Sequence, residues 1–199
     1  MGQAVAGHSR IGPNAITRVA EAMQAQLGRR LTAEVFGAAH LGTYLEHPPT
    51  QMVDEAEVSH LHAMLRGELG ERVAAEVARD AGRRTADYLL AHRIPRPAQW
   101  LLRHLPAARA SPLLLAAIGK HAWTFAGSGR FSAEPGPPVV LTIRGNPMCR
   151  GQTSAVPVCD FYAATFERLF RVLVHPQARA VETACEARGD DACRFEVRW

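Results

Sequence analysis

Hydrophobic positions along this chain follow two different periods. Through the first two thirds they recur at helical spacing. Ile16, Val19, Ala20 and Met23 share one face after the opening Gly12-Pro13-Asn14, and Gly28 is expected to end that helix. Thr32 is placed to cap a second helix carrying Val35, Phe36, Ala39 and Leu41, ahead of a break at His47-Pro48-Pro49. Asp54 reads as the cap of a third, with Glu57 as its capping-box partner and Val58, Leu61, Leu65 and Leu69 as its apolar stripe. A long helix is expected over residues 71–92, stopped by Pro95 and Pro97. Shorter helices are expected over 98–105 and, capped by Ser111, over 112–121.

Beyond residue 121 the pattern changes. The aromatic stretch 123–131, with Gly127 and Gly129, and the β-branched run 139–143 read as the two strands of a hairpin. Residues 160–174 return to helical spacing, with Phe161, Phe166, Leu169, Phe170 and Leu173 on one side. Strands are then expected over 180–187 and 192–199, around the turn Arg188-Gly189-Asp190-Asp191. In the last of them Cys193, Phe195, Val197 and Trp199 alternate with Arg194, Glu196 and Arg198, which predicts one core face. The expected fold is α+β in a single domain over 1–199. A mainly helical part, 1–121, precedes a β-β-α-β-β unit, 122–199, with a four-stranded antiparallel sheet.

Composition narrows the function classes. At 47% hydrophobic and 21% charged residues, the chain is globular in character. Its longest apolar run, 113–118, is far short of the roughly 20 residues that span a bilayer. The first residues lack the apolar core of a secretory signal, and Ala6 stands where a myristoylation motif on Gly2 wants Ser or Thr. The expectation is a cytoplasmic protein. The net charge is +4, and Lys120 is the single lysine. The arginines are scattered, without a basic run or interleaved aromatic platform, so nucleic acid is not an expected partner. They read as a solvated surface, with the guanidinium fork available to an acidic ligand.

All four cysteines, Cys149, Cys159, Cys185 and Cys193, lie in the last 51 residues. In a cytoplasmic chain such clustering suggests metal or redox chemistry more than disulfides. A hairpin centred on Gly189 sets Cys185 opposite Cys193, close enough for two thiolates to chelate one tetrahedral zinc. Cys159 opens the preceding helix, whose amide dipoles favour a thiolate. Glu182 is a candidate oxygen ligand, but strict alternation puts it on the opposite strand face from Cys185, so joint ligation requires a bulge or strong twist. Two buried thiols or a cross-strand disulfide would give the same spacing.

The segment V-E-T-A-C-E-A-R-G-D-D-A-C-R-F-E-V resembles the closing signature of the 4-vinyl reductase domain family. In that family a helix opened by cysteine precedes a strand pair carrying E-x-x-C-x7-C, and the matching residues here are Cys159, Glu182, Cys185 and Cys193. Related phenol-sensing domains hold structural zinc with such a set. The resemblance therefore implies structural Zn2+ at these four residues and leaves Cys149 as a plain buried thiol. The runs R-I-G-P-N-A-I, G-N-P-M-C-R-G and P-V-C-D-F-Y-A-A-T-F-E extend the likeness over nearly the whole chain, to the bacteriochlorophyll 4-vinyl reductases. What this implies is a place in bacteriochlorophyll biosynthesis in photosynthetic bacteria, acting on the 8-vinyl group of divinyl protochlorophyllide. The same lineage resembles trafficking-complex subunits and haem nitric-oxide-binding domains, which implies an internal apolar pocket and a homodimer.

Vinyl reduction needs a hydride or electron donor. The nearest dinucleotide fingerprint, Gly127-Ser128-Gly129, lacks its third glycine and sits outside a βαβ unit. NADPH is thus implied only if the protein is itself the reductase. The residues speak more for binding a Mg-tetrapyrrole and delivering it to other pigment-biosynthesis enzymes, and the enzyme question stays open. Such a ligand wants an apolar slot, a neutral histidine and cations for its carboxylates. The candidate ligand-binding residues are His104, His121, Trp123 and Phe125, with Arg130 and Arg144 as cations that also read as solvated strand positions. His60 and His62, two apart on a helix, do not share a face. The alternative is a small-molecule sensor acting through a partner protein, and the lack of an ATPase or DNA-binding segment counts against it.

Overall fold

In the computed structural model, residues 9–199 are described; Gly2, Ala6 and His8 lie outside them. Helix α1 (Asn14–Ala38) packs on α3 (Glu55–His92), and α3 packs in turn on α7 (Asp160–Leu173). The short α2 (Thr43–Glu46) lies between the first two, and a two-residue antiparallel pairing of β1 (Arg10–Ile11) with β2 (Val53–Asp54) ties the N-terminal segment to the start of α3. Helices α4 (Arg96–His104), α5 (Ala107–Lys120) and α6 (Trp123–Ala126) lead into the sheet. Its strands β3 (Arg130–Glu134), β4 (Val139–Arg144), β5 (Arg179–Ala184) and β6 (Cys193–Arg198) are antiparallel in the order β3-β4-β6-β5. This is the expected α+β arrangement, with α7 connecting the two hairpins.

The core forms where helix stripe meets strand face. Cys193, Phe195 and Val197 are fully buried, while Arg194, Glu196 and Arg198 point outward, as the alternation along β6 requires. Against that face α7 sets Phe166, whose ring meets Phe195 edge-on at 5.4 Å, and Tyr162, whose hydroxyl donates to the Phe125 carbonyl at 2.6 Å. Phe125 completes this aromatic cluster through an edge contact with Phe131 at 5.4 Å.

Several boundaries differ from expectation, each for a local reason. Gly28 and Gly70 leave the helical conformation at φ +84° and +75°, but the chain resumes its helix immediately on both occasions. Thr32 is therefore an interior residue whose hydroxyl donates back to the Gly28 carbonyl (2.8 Å), not a cap. Asp54 does cap α3, accepting from the Ala56 amide at 2.8 Å. Glu57 instead accepts from the Tyr44 hydroxyl. Ser111 is buried inside α5, which begins at Ala107 after Pro106. The expected strand 123–131 is a helical turn, α6, followed by a strand that starts only at Arg130. At Gly127 the backbone turns with φ +58°, and a Cβ there would lie 2.1 Å from the Glu55 carboxylate. Strand β5 ends at Ala184 and continues as a 3-10 turn, Glu186–Arg188.

Where α3 crosses α7, Gly82 lets the two backbones meet. A Cβ at Gly82 would stand 2.2 Å from the Phe161 carbonyl oxygen, and Thr165 donates to the Gly82 carbonyl at 3.1 Å. Gly82→Ala is expected to push the helices apart and cost about 1–3 kcal/mol. Gly67→Ala, on the same helix with nothing within 4 Å, is expected to be neutral or stabilising by up to about 1 kcal/mol. Thermal melts of the two variants check the pair; equal melting temperatures would contradict the crossing argument.

Candidate metal centre and cavity

Three separate pieces of chain bring the cysteines together. After β4 the chain turns at Gly145 (φ +67°) into an Asx turn, in which Asn146 Oδ1 accepts from the Met148 amide at 3.0 Å. The Glu186 carboxylate accepts from the amides of Gly145 (2.5 Å) and Asn146 (2.7 Å), pinning this loop to the 3-10 turn. The loop delivers Cys149. Cys159 stands at the N-terminal cap of α7. Cys185 and Cys193 come from the β5–β6 hairpin. Pairing there runs Glu182 with Phe195 and then Ala184 with Arg194, so Thr183 is an extra residue. This is the bulge that strict alternation lacked, and it brings Glu182 and Cys185 to the same side of the strand.

All four thiols are buried, and their Sγ atoms lie within 4.8 Å of one another. Cys149 and Cys193 are 3.6 Å apart, Cys159 and Cys193 3.7 Å, and Cys185 is 4.0 Å from both Cys159 and Cys193. Sulphurs at the corners of a tetrahedron with metal–sulphur bonds of about 2.3 Å are about 3.8 Å apart. The cysteines are free rather than bridged. The set therefore has the donor type, count and spacing to hold one tetrahedral, thiophilic metal ion.

Charge makes the same point. The S–H groups of Cys149, Cys159 and Cys193 converge on Cys185 and hold its thiol well below the usual range. Cys159 is pushed up by its thiol neighbours, Cys149 first, and by burial. Four thiols in this space lose their protons together only against a compensating cation. Outer contacts orient the sulphurs: Asn146 Nδ2 donates to Cys159 Sγ (3.2 Å) and the Glu186 amide to Cys193 Sγ (3.4 Å).

Glu182 sits beside this set. Its Oε2 accepts from the Cys159 amide at 2.7 Å, while its Oε1 is buried without a partner. Burial, reinforced by the Cys185 charge, pushes its carboxyl up to about 9. The fourth sulphur comes from Cys149, which the E-x-x-C-x7-C spacing does not include. Its one sequence signal is that it belongs to the same C-terminal cluster of cysteines.

A cavity of about 630 Å³ opens next to the cluster, between the middle of α3, the start of α7 and β5. His62, Arg66, Asp160 and Glu182 border it, with Leu65, Ala78 and Val158 among its apolar walls. His62 is 2% exposed; burial, aided by the Arg66 charge, pushes its pKa down to about 3, so it is neutral at physiological pH. Its ring is hydrogen-bonded to the Ala15 backbone, and Nε2 has no partner. Arg66 makes no carboxylate ion pair among the described residues; it donates to the Met148 carbonyl (3.3 Å) and to Gln152. A second cavity, about 700 Å³, lies by Ser111, the 135–138 turn and Trp199.

The expected ligand residues lie elsewhere. His104 and His121 are exposed, Trp123 is 63% exposed, and Phe125 is packed in the aromatic core; none borders either cavity. Arg144 pairs with Asp191 at 2.8 Å. Gly127-Ser128-Gly129 grips a carboxylate of the protein itself. Glu55 accepts from the Ser128 amide and hydroxyl, both at 2.7 Å, and from Arg150.

Comparison with known proteins agrees with this geometry. The 4-vinyl reductase domain model matches residues 139–199, which contain all four cysteines. The chain is 45% identical over 188 residues to the bacteriochlorophyll synthase 23 kDa chain of Cereibacter sphaeroides, covering 94% of this chain and 90% of that one. It belongs to this family. The Rhodobacter capsulatus bacteriochlorophyll synthase 23 kDa chain is 39% identical over 186 residues, covering 94% and 85%. Among solved structures, an Fe(II) unliganded H-NOX protein from K. algicida superposes with TM-score 0.61 at 11% identity, covering 94% of this chain and 96% of that one. An H-NOX structure from T. tengcongensis gives 0.59 at 13% identity, with the same coverage. These likenesses show that the 23 kDa chain family shares the H-NOX type of fold.

The sulphur geometry sets a direct test. Cys149→Ser is expected to lower bound metal and melting temperature together, whereas Glu182→Gln is expected to retain the metal. Metal analysis by mass spectrometry on both purified variants distinguishes a four-sulphur centre from one that uses Glu182.

Proposed function

We propose that this protein serves bacteriochlorophyll biosynthesis by binding a Mg-tetrapyrrole, divinyl protochlorophyllide or a close precursor, and presenting it for reduction of the 8-vinyl group. One observation carries this reading: a buried, neutral histidine with a free Nε2 borders an apolar cavity that also holds an arginine without a carboxylate partner. A cavity of about 630 Å³ is in the range, about 300–1,000 Å³, of small-molecule sites. Neutral imidazole is the axial ligand that a magnesium centre accepts, and its second nitrogen is already anchored on the Ala15 backbone. Arg66 supplies the cation for a tetrapyrrole carboxylate. On this reading His62 takes the role expected of His104 or His121.

The cysteine centre is assigned structural zinc in this proposal. Thiolate ligands select zinc over magnesium, and four sulphurs leave no open position for substrate. The glycine pair most like a dinucleotide turn is engaged with Glu55, which favours delivery to a reductase, with NADPH or electrons supplied there, over hydride transfer on this chain.

An absorbance titration with divinyl protochlorophyllide, repeated with NADPH, tests the reading. A saturable Soret shift without conversion is expected. His62→Leu is expected to weaken binding by about tenfold or more, equivalent to about 1.4 kcal/mol, while keeping zinc and the far-ultraviolet circular dichroism of the parent. The absence of a shift in the zinc-loaded, folded protein would overturn the binding role. Appearance of the 8-ethyl product with NADPH would make the protein the reductase itself.

A further inference from the structure

Between Asp87 and Glu134 the chain has no acidic residue. The 46 residues 88–133 hold Arg93, Arg96, Arg103, Arg109, Lys120 and Arg130, and the rest of the chain is net negative. This segment comprises α4, α5 and α6 with their connections. Among the described residues, none of the six cations pairs with a carboxylate, whereas most arginines elsewhere do.

The same segment exposes apolar bulk. Of the seven large hydrophobic residues exposed among the described ones, four are here: Trp100 (62%), Leu101 (48%), Leu113 (50%) and Trp123 (63%). Helical spacing sorts them. On α4, Gln99 and Leu102 are buried, while Arg96, Trp100 and Arg103, at i, i+4 and i+7, share the outer face. Trp100 is held flat against His104, with ring centroids 4.4 Å apart. On α5, Leu114, Leu115 and Ile118 are buried, and Arg109, Leu113 and Lys120 share the opposite face. Each helix thus alternates cations with large apolar side chains on the side that packs against nothing.

We infer that α4–α6 form a peripheral docking surface for an anionic lipid bilayer. A cationic face bearing tryptophan and leucine suits the boundary between headgroups and acyl chains: the arginines meet lipid phosphates while indole and leucyl groups enter the interface. No helix among the described residues is long and apolar enough to cross a membrane, so the contact is made from one side. An acidic protein surface would satisfy the cations but leave the two exposed indoles without an apolar partner. The bilayer satisfies both. This inference does not depend on the pigment-binding reading, since neither cavity includes these tryptophans.

Sedimentation of the full chain with vesicles tests it. Binding is expected to phosphatidylcholine vesicles containing phosphatidylglycerol and not to phosphatidylcholine alone. It should be lost near 1 M salt, where the screening length falls to about 3 Å. Each near-surface arginine is expected to carry about a fivefold share of the affinity, so Arg96→Glu with Arg103→Glu should all but abolish binding. Trp100→Ala with Trp123→Ala should weaken it about tenfold or more, at unchanged melting temperature; Trp199→Ala, outside the segment, should leave it unchanged. Failure to sediment with anionic vesicles, equal binding to neutral ones, or indifference to the tryptophan pair would overturn the inference. Retention of polyglutamate without vesicle binding would do so in favour of an acidic protein partner.

Discussion

Four sulphur atoms held within 4.8 Å and cut off from water set the condition that the C-terminal half must meet. Thiols that close cannot ionise independently, and a buried cation that resolves the conflict ties together every piece of chain that supplies a ligand. Here those pieces are the loop after β4, the N-terminus of α7 and the β5–β6 hairpin. They are pinned twice over, by the sulphurs and by carboxylates: Glu186 holds the loop amides and Glu182 holds the Cys159 amide. Loss of the metal would leave these segments joined only by such single contacts, so local order in this half is coupled to metal content.

Helix α3 transmits that order to the rest of the molecule. At its start Glu55 engages the 127–129 turn and Arg150, and one turn later Ser59 donates to the Pro147 carbonyl. Further along, Arg66 reaches the Met148 carbonyl and Gln152, and near its far end Gly82 meets α7. The loop that delivers Cys149 is thereby read from α3 at three points. The cavity lies on the same helix, and Glu182 borders it while supporting Cys159. Metal centre and cavity are neighbouring uses of one wall.

Much of this was legible in the chain. The 3.6-residue and two-residue periods located α3, α7, β4 and β6 closely, because their burial is one-sided and uninterrupted. The turn at Gly127 was not legible, since its conformation depends on a carboxylate more than 70 residues away. Strand periodicity explained why Glu182 and Cys185 conflict and pointed to a bulge, and Thr183 is that bulge. Cys149 escaped because a turn built from Gly145 and an Asx motif has no period to extrapolate. His62 escaped for a different reason: weighed only as a partner for His60, it shows its character through burial, and burial is a tertiary property. His104 and His121 sat in apolar sequence, but on the outward faces of their helices.

The separation of the two sites follows from ligand chemistry. Thiolates would bind zinc far more tightly than any magnesium complex, so a protein that handles a magnesium pigment must keep its sulphurs saturated and away from the cargo. The cluster meets both demands, with all four sulphurs turned toward one another and buried. The cavity next to it offers only imidazole, carboxyl and guanidinium groups. Arg66 stands on the boundary, its charge favoured by the thiols of Cys159, Cys149 and Cys185, and its guanidinium fixed by the Cys149 loop. A cation so placed answers the negative charge of the metal–thiolate centre on one side and a carboxylate ligand on the other. The same residue thus lets a soft metal site and a hard-metal cargo share one helix without exchanging ions.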